Sequence, residues 1–308
     1  MISRRDFLRL CGVTLAGAAM PSLRVEGGAR RAIFAGRALE PTRVYAAPRF
    51  DADVRRAVHP DQVLPLVVSF PEALSFREAT AGWFKVPGAG GGYVPARAVQ
   101  PMMPYTRPAV IAPVEAPFWA EVIAPVTVAR AWPLPDAPAR GRPGYGATLR
   151  VIDAQADDEG RVWYRDAESG GWVQALHVRR LDPAEVQPIN PGAPDKRLVI
   201  GAARAGAPRR LVAFEGDQPV MEAPVCATAR ASGDDRVVSA KHPGRQLAAW
   251  WGAPWLVEAG ETTICGAYWH NDFGASRDGD RAAITLAPAA ARWVYRWAEV
   301  GATRVCVR

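Results

Sequence analysis

Along much of this chain apolar and polar residues alternate in short segments broken by turn-forming residues, the pattern of short antiparallel strands with one buried face. The stretch 36–103 carries Val44 and Pro48, an apolar run at 64–68, Trp83-Phe84-Lys85-Val86, Gly92-Tyr93-Val94-Pro95-Ala96 and Val99. The stretch 118–182 repeats that skeleton with Val128 and Pro133, a run at 149–152, Trp163-Tyr164-Arg165, Gly171-Trp172-Val173-Gln174-Ala175 and Val178. The offsets are 80 for Trp83 to Trp163 and 79 for both Tyr93 to Trp172 and Val99 to Val178. Self-similarity at a constant offset predicts two copies of one small β-barrel. Trp83 and Trp163 are expected to fill cores, as strand tryptophans mostly do, whereas Tyr93 and Trp172, beside glycines, are expected to face a ligand.

From Lys196 onward the pattern predicts a third β-rich unit over 194–308, opening with strands at 197–200 and 210–215 and a turn at Gly216-Asp217. Ala290, Trp293, Val294 and Trp297 recur at helical spacing, with Pro288 at the start, so an amphipathic helix is expected over 288–298. Proline-rich joints at 101–117 and 183–194 separate the three units and are expected to act as semi-rigid spacers.

Composition sharpens this mainly β picture. Glycine and proline, 28 each, are spread along the 308 residues in the manner of many strands joined by turns. The formal net charge of +7 owes three units to residues 1–25, and no lysine-arginine cluster alternates with a stacking aromatic row, so nucleic acid is excluded as a partner. Residues 1–25 contain Ser3-Arg4-Arg5-Asp6-Phe7-Leu8-Arg9 ahead of a short, weakly apolar run. This resembles a twin-arginine signal peptide and implies an extracytoplasmic location, in the periplasm or cell wall, with no stable membrane span after cleavage. Beyond that segment lie Cys226, Cys265 and Cys306, an odd number that allows at most one disulfide. No metal or cofactor is expected: Asp278-Gly279-Asp280 lacks the remaining ligand positions of a calcium loop and reads as a solvated turn.

In the third unit Lys241-His242-Pro243-Gly244-Arg245, Ala253-Pro254-Trp255 and Tyr268-Trp269-His270-Asn271-Asp272-Phe273-Gly274 resemble the L,D-transpeptidases that carry two Src-homology-3-like barrels. The resemblance implies an L,D-transpeptidase-like β-sandwich with a short C-terminal helix, peptidoglycan as partner, and substrate contacts from Trp255, Tyr268, Trp269, His270, Asn271, Asp272 and Phe273. It also implies a Ser-His-Gly-Cys-x-Asn loop just before the helix, and here the chain departs from the family. Aligned back from the helix, Arg281 stands at the histidine and Ala283 at the cysteine; aligned forward from Arg277, the two places fall on Gly279 and Arg281. Cys265 precedes Gly266 where the family has a His-Gly pair, and the family's threonine-proline segment after Asp234-Asp235 is missing.

Family chemistry uses a histidine-activated thiolate to form an acyl-enzyme on a peptide stem, which neither alanine nor arginine can do. The expectation is therefore a non-catalytic, exported peptidoglycan-binding relative. A second reading keeps the transpeptidase activity with Cys265 as nucleophile and His270 as base. A third makes the chain a structural protein that binds an envelope partner.

Overall fold

The structure, a computed structural model, describes residues 31–69, 82–103, 117–202, 208–228, 233–247, 250–274, 276–277 and 283–308. The twin-arginine segment, Arg281 and Asp278-Gly279-Asp280 lie outside them. Among the described residues the chain is mainly β, with a single α-helix.

The first unit comprises β1 (Arg31–Ala38), β2 (Thr42–Tyr45), β3 (Val54–Val58), β4 (Val63–Ser69), β5 (Trp83–Val86), β6 (Gly92–Pro95) and β7 (Val99–Met102). They form one sheet in the order β3-β2-β6-β5-β4-β1-β7. The second comprises β8 (Phe118–Val122), β9 (Ala129–Arg130), β10 (Ala139–Gly141), β11 (Thr148–Ala156), β12 (Val162–Asp166), β13 (Trp172–Gln174) and β14 (Val178–Arg180), in the order β10-β9-β13-β12-β11-β8-β14. Adding seven to every label of the first order gives the second, so the repeat read from spacing is a repeat of topology. A one-turn 3-10 segment precedes the last strand in both, at Ala96–Ala98 and Ala175–His177. The inward positions correspond as well: Leu64, Phe84, Val94 and Val99 fill one core, and Leu149, Tyr164, Val173 and Val178 the other. Neither sheet closes by strand pairing among the described residues.

The local reason for the β11–β12 turn is Asp157. Its carboxylate accepts hydrogen bonds from the Arg161 and Glu159 amides, Arg161 Nε and Trp163 Nε1. Burial would raise this carboxyl, but the bonds from Arg161 and Trp163 outweigh it and hold it down at about 2.

The third unit comprises β15 (Lys196–Ala202), β16 (Arg209–Glu215), β17 (Gln218–Pro224), β18 (Cys226–Thr228), β19 (Gly233–Val237), β20 (Ala240–Leu247), β21 (Trp250–Ala259), β22 (Thr262–Gly266), β23 (Ser276–Arg277), β24 (Ala283–Leu286), α1 (Pro288–Trp297) and β25 (Arg304–Val307). Two sheets result, β17-β16-β15-β25-β19 and β20-β21-β22-β24-β18-β23. One apolar core draws on both sheets and the helix, through Leu198, Leu211, Ile264, Ile284, Val294 and Trp297 among others.

Helix α1 has Pro288 in its first turn and no side-chain N-cap. Its C-terminus is better served, because the last carbonyls of a helix lack partners and carry partial negative charge. Lys196 Nζ donates to Trp297 O (3.0 Å) and Lys241 Nζ to Tyr295 O (2.8 Å) and Ala298 O (2.6 Å). Lys196 is 3% exposed and also donates to Glu299 Oε1 at 2.6 Å. Burial, then the charge of Lys196, lowers the Lys241 pKa.

The joint at 183–194 is fixed by bonds rather than by proline stiffness alone. Asp182 and Glu185 form a capping box on the 3-10 turn Pro183–Glu185. Arg179 of β14 and Arg292 of α1 both grip the Glu185 carboxylate, and Arg296 Nε donates to Gln187 O at 2.8 Å. Of the joint at 101–117, only residues 101–103 and 117 lie within the described residues.

Candidate functional site

The heptad singled out as the substrate surface lies between β22 and β23, where the three units meet. Tyr268 is 2% exposed, belongs to the second unit's core and donates its hydroxyl to Trp251 O at 2.6 Å. Burial, opposed by the charge of Arg37, raises the Tyr268 pKa. Asn271, 6% exposed, donates Nδ2 to Val99 O (2.7 Å) and Ala96 O (3.3 Å) of the first unit. Phe273 packs with Cys226 and Ala267 in a small core of the third unit. Tyr268 and Asn271 thus reach into neighbouring units and Phe273 packs within its own, so all three are held in packing contacts, the first two joining the third unit to the others.

Two other expected contacts differ. Trp255 is 1% exposed under α1, with the Arg292 guanidinium 4.9 Å above its ring, and its φ of 61° is unusual for a bulky residue. It is a core side chain with no face left for substrate. Trp269 is half-buried and stacks on Trp250 (4.9 Å between centroids, 5° between planes), whose ring is 42% exposed at the start of β21. Trp250 presents a flat aromatic face beside the heptad, and the sequence reading passed over it. Asp272 is half-buried, and its amide donates to His270 Nδ1.

The remaining chemistry sits on one sheet face. Cys265 of β22 pairs in register with Thr285 of β24, and Thr285 pairs with Cys226 of β18, so the three side chains lie in a row on the same face. His270 reaches this row. The Asp272 amide donates to His270 Nδ1 at 3.1 Å, leaving Nε2–H to donate to Thr285 Oγ1 at 3.0 Å, and Thr285 Oγ1 donates to Cys226 O at 3.2 Å. A general base needs its lone pair free at the proton to be taken. The His270 lone pair is occupied by a backbone amide, which assigns the ring a structural task.

Cys265 meets no requirement of a nucleophile. It is fully buried beside Ala253 and Leu256, and burial pushes its thiol up to about 12. The thiolate is the reactive form, so at neutral pH this group is inert. The second reading, with Cys265 attacking and His270 assisting, would need an accessible thiol and a free imidazole lone pair, and the structure has Cys265 fully buried and the lone pair on the Asp272 amide. Ala283 opens β24, half-buried and paired with Thr263, and offers no reactive atom. Cys226, Cys265 and Cys306 are all free thiols. The reason is spacing: β24 separates Cys226 from Cys265, two strand intervals of about 9.5 Å, beyond disulfide reach, and Cys306 belongs to the other sheet.

A small cavity lies where the second unit meets the β20–β21 hairpin. Trp119, Thr148, Arg150, Asp166, Gln246 and Trp251 are among its lining, and its volume of about 10 Å³ suits roughly one water. The Thr148 hydroxyl lining it is buried without a protein partner. Around it the units fit closely: a Cβ on Gly244 would stand 2.3 Å from Thr148 O, and one on Gly171 would stand 2.8 Å from the Trp251 ring. Among the described residues no group of three or more His, Cys, Asp and Glu side chains converges on a metal position, and no helix is long and apolar enough to cross a membrane.

The repeated aromatics divide differently from expectation. Trp163 is buried as expected, but Trp172 is also buried, at 6% exposed, while Trp83 is half-buried on an outer face. Compared with known proteins, the chain matches no family model and no curated sequence.

Proposed function

We propose that this chain is an exported cell-envelope protein of L,D-transpeptidase type that binds peptidoglycan without cross-linking or trimming it. In this reading each of the first two sheets is a small Src-homology-3-like barrel and the third unit a transpeptidase-like sandwich. The repeated strand order and the single core drawn from two sheets support that assignment. Residues 1–25 act as a twin-arginine signal, and the mature protein works in the periplasm or cell wall.

The observation that carries the non-catalytic part is the state of the thiol and imidazole. Cys265 is sealed in a core with its thiol raised to about 12, and the His270 lone pair accepts the Asp272 amide. With Ala283 or, in the other alignment, Arg281 at the family's cysteine position, that position cannot carry an acyl group. Loss of the nucleophile in acyl-transfer enzymes costs on the order of a million-fold in turnover. The direct test is sedimentation of the purified protein with isolated sacculi. The reading expects co-sedimentation with the muropeptide profile of the sacculi unchanged; a protein left wholly in the supernatant would remove peptidoglycan as the partner.

A further inference from the structure

The two N-terminal copies share core and topology but differ on one outer face, and that difference is informative because the fold does not require it. In the first copy Tyr45 of β2 pairs across the sheet with Tyr93 of β6, and Tyr93 with Lys85 of β5, so these side chains share the outer face. Trp83 lies two residues from Lys85 on that face, and Phe50 folds over it from the β2–β3 loop. The Phe50 centroid is 4.8 Å from Trp83 and 5.9 Å from Tyr45, and Tyr45 and Trp83 are 5.4 Å apart. Phe50 is nevertheless 61% exposed. At the corresponding places the second copy has Arg130 for Tyr45, while Trp163 and Trp172 are buried.

Charge surrounds this aromatic bed. The Arg97 guanidinium stands 5.7 Å from the Phe50 centroid, Lys85 is exposed, and Asp51 is already paired with Arg49. A cationic rim around an apolar centre fits an anionic ligand with apolar substituents. The rings meet edge to face, at 86° and 85°, or tilted at 53°. They therefore form a compact interlocked bed and not a parallel stack, a surface against which alkyl side chains can pack.

We propose that the outer face of the first copy, built on Tyr45, Phe50, Trp83 and Tyr93 with Lys85 and Arg97, is the docking site for an acidic peptide. The proposal rests on the peptidoglycan-binding reading, in which that peptide is the carboxylate-rich stem. Lys85 and Arg97 take the carboxylates and Phe50 covers the apolar side chains.

The test is binding of the whole protein to the soluble tripeptide stem L-alanyl-γ-D-glutamyl-diaminopimelate by calorimetry or fluorescence. Phe50→Ala and the double reversal Lys85→Glu/Arg97→Glu are each expected to weaken binding roughly tenfold or more, with melting temperatures close to that of the unaltered protein. Trp132→Ala, which removes the 48% exposed tryptophan of the corresponding β9–β10 loop, is expected to bind as before. Two outcomes overturn the assignment: tripeptide binding that is absent or indifferent to both changes on this face, and preference for chitotetraose or an oligothymidylate over the tripeptide. Sedimentation with sacculi separates the two levels, because a protein that binds sacculi but fails these comparisons retains the broader reading and loses this site.

Discussion

At the scale of single residues, chemistry is decided by burial and by what each lone pair is doing. Cys265 and His270 are the residue types of a thiol enzyme, yet one is sealed among Ala253 and Leu256 and the other accepts a backbone amide. The consequence is measurable by alkylation. Iodoacetamide applied to the native protein at pH 8, followed by peptide mapping, is expected to label Cys306, which is only partly buried, and to spare Cys226 and Cys265 until denaturant is added. Rapid labelling of Cys265 in the native state would show that its thiol is open and ionisable. The sequence alone showed that position 283 holds an alanine, with no group able to carry an acyl chain. It did not show the fate of the heptad: one string of letters specifies a binding surface or an inter-domain clamp equally well, and only the carbonyls of Ala96 and Val99, more than 170 residues earlier, decide which.

At the scale of elements, periodicity carried the reading furthest. The strands around Trp83, Tyr93, Trp163 and Trp172 and the helix starting at Pro288 follow from local pattern and are present as expected. Trp172 escaped that logic, since a tryptophan beside a glycine signals a close approach without saying what approaches; here Trp251 lies against Gly171. The joint between the second and third units was legible only as proline-rich, whereas several of the bonds that tie it to its neighbours converge on Glu185. Burial would raise that carboxyl, but hydrogen bonds and charge from Arg179 and then Arg292 prevail and lower it from 4.5 to about 2. A depressed folded-state pKa contributes stability that is complete above the unfolded value of 4.5 and disappears as pH falls towards 2. Glu185→Gln is therefore expected to cost about 1–2 kcal/mol at pH 7 after allowance for solvent screening. In urea titrations the gap between variant and parent should narrow steadily below about pH 4.5. A gap that stays constant down to pH 2 would contradict the ion-pair account.

At the scale of the whole molecule, the three units interlock. Arg37 Nη1 of the first donates to Pro125 O at 3.0 Å, Asp61 pairs with Arg142, and Asn271 of the third returns to the first. At one seam Gly244 lies against the Thr148 carbonyl, where backbone meets backbone and neither can yield cheaply. Gly244→Ala is expected to destabilise the protein by about 2 kcal/mol or more and to expose the second and third units to limited proteolysis between them. Gly201→Ala, whose added methyl would meet Arg308 at an ordinary 3.5 Å, serves as the comparison and is expected to change stability by less than about 0.5 kcal/mol. Equal effects of the two substitutions would mean that the seam does not couple the units.

The central proposal, that this chain is of transpeptidase type and binds without catalysing, is tested most directly by intact-mass spectrometry of the reduced protein after incubation with a carbapenem and, separately, with a disaccharide-tetrapeptide. The account predicts an unchanged protein mass and no cross-linked or shortened muropeptide. An acyl adduct on Cys265 that disappears in Cys265→Ala, or product formed at a rate set by that residue, would contradict it.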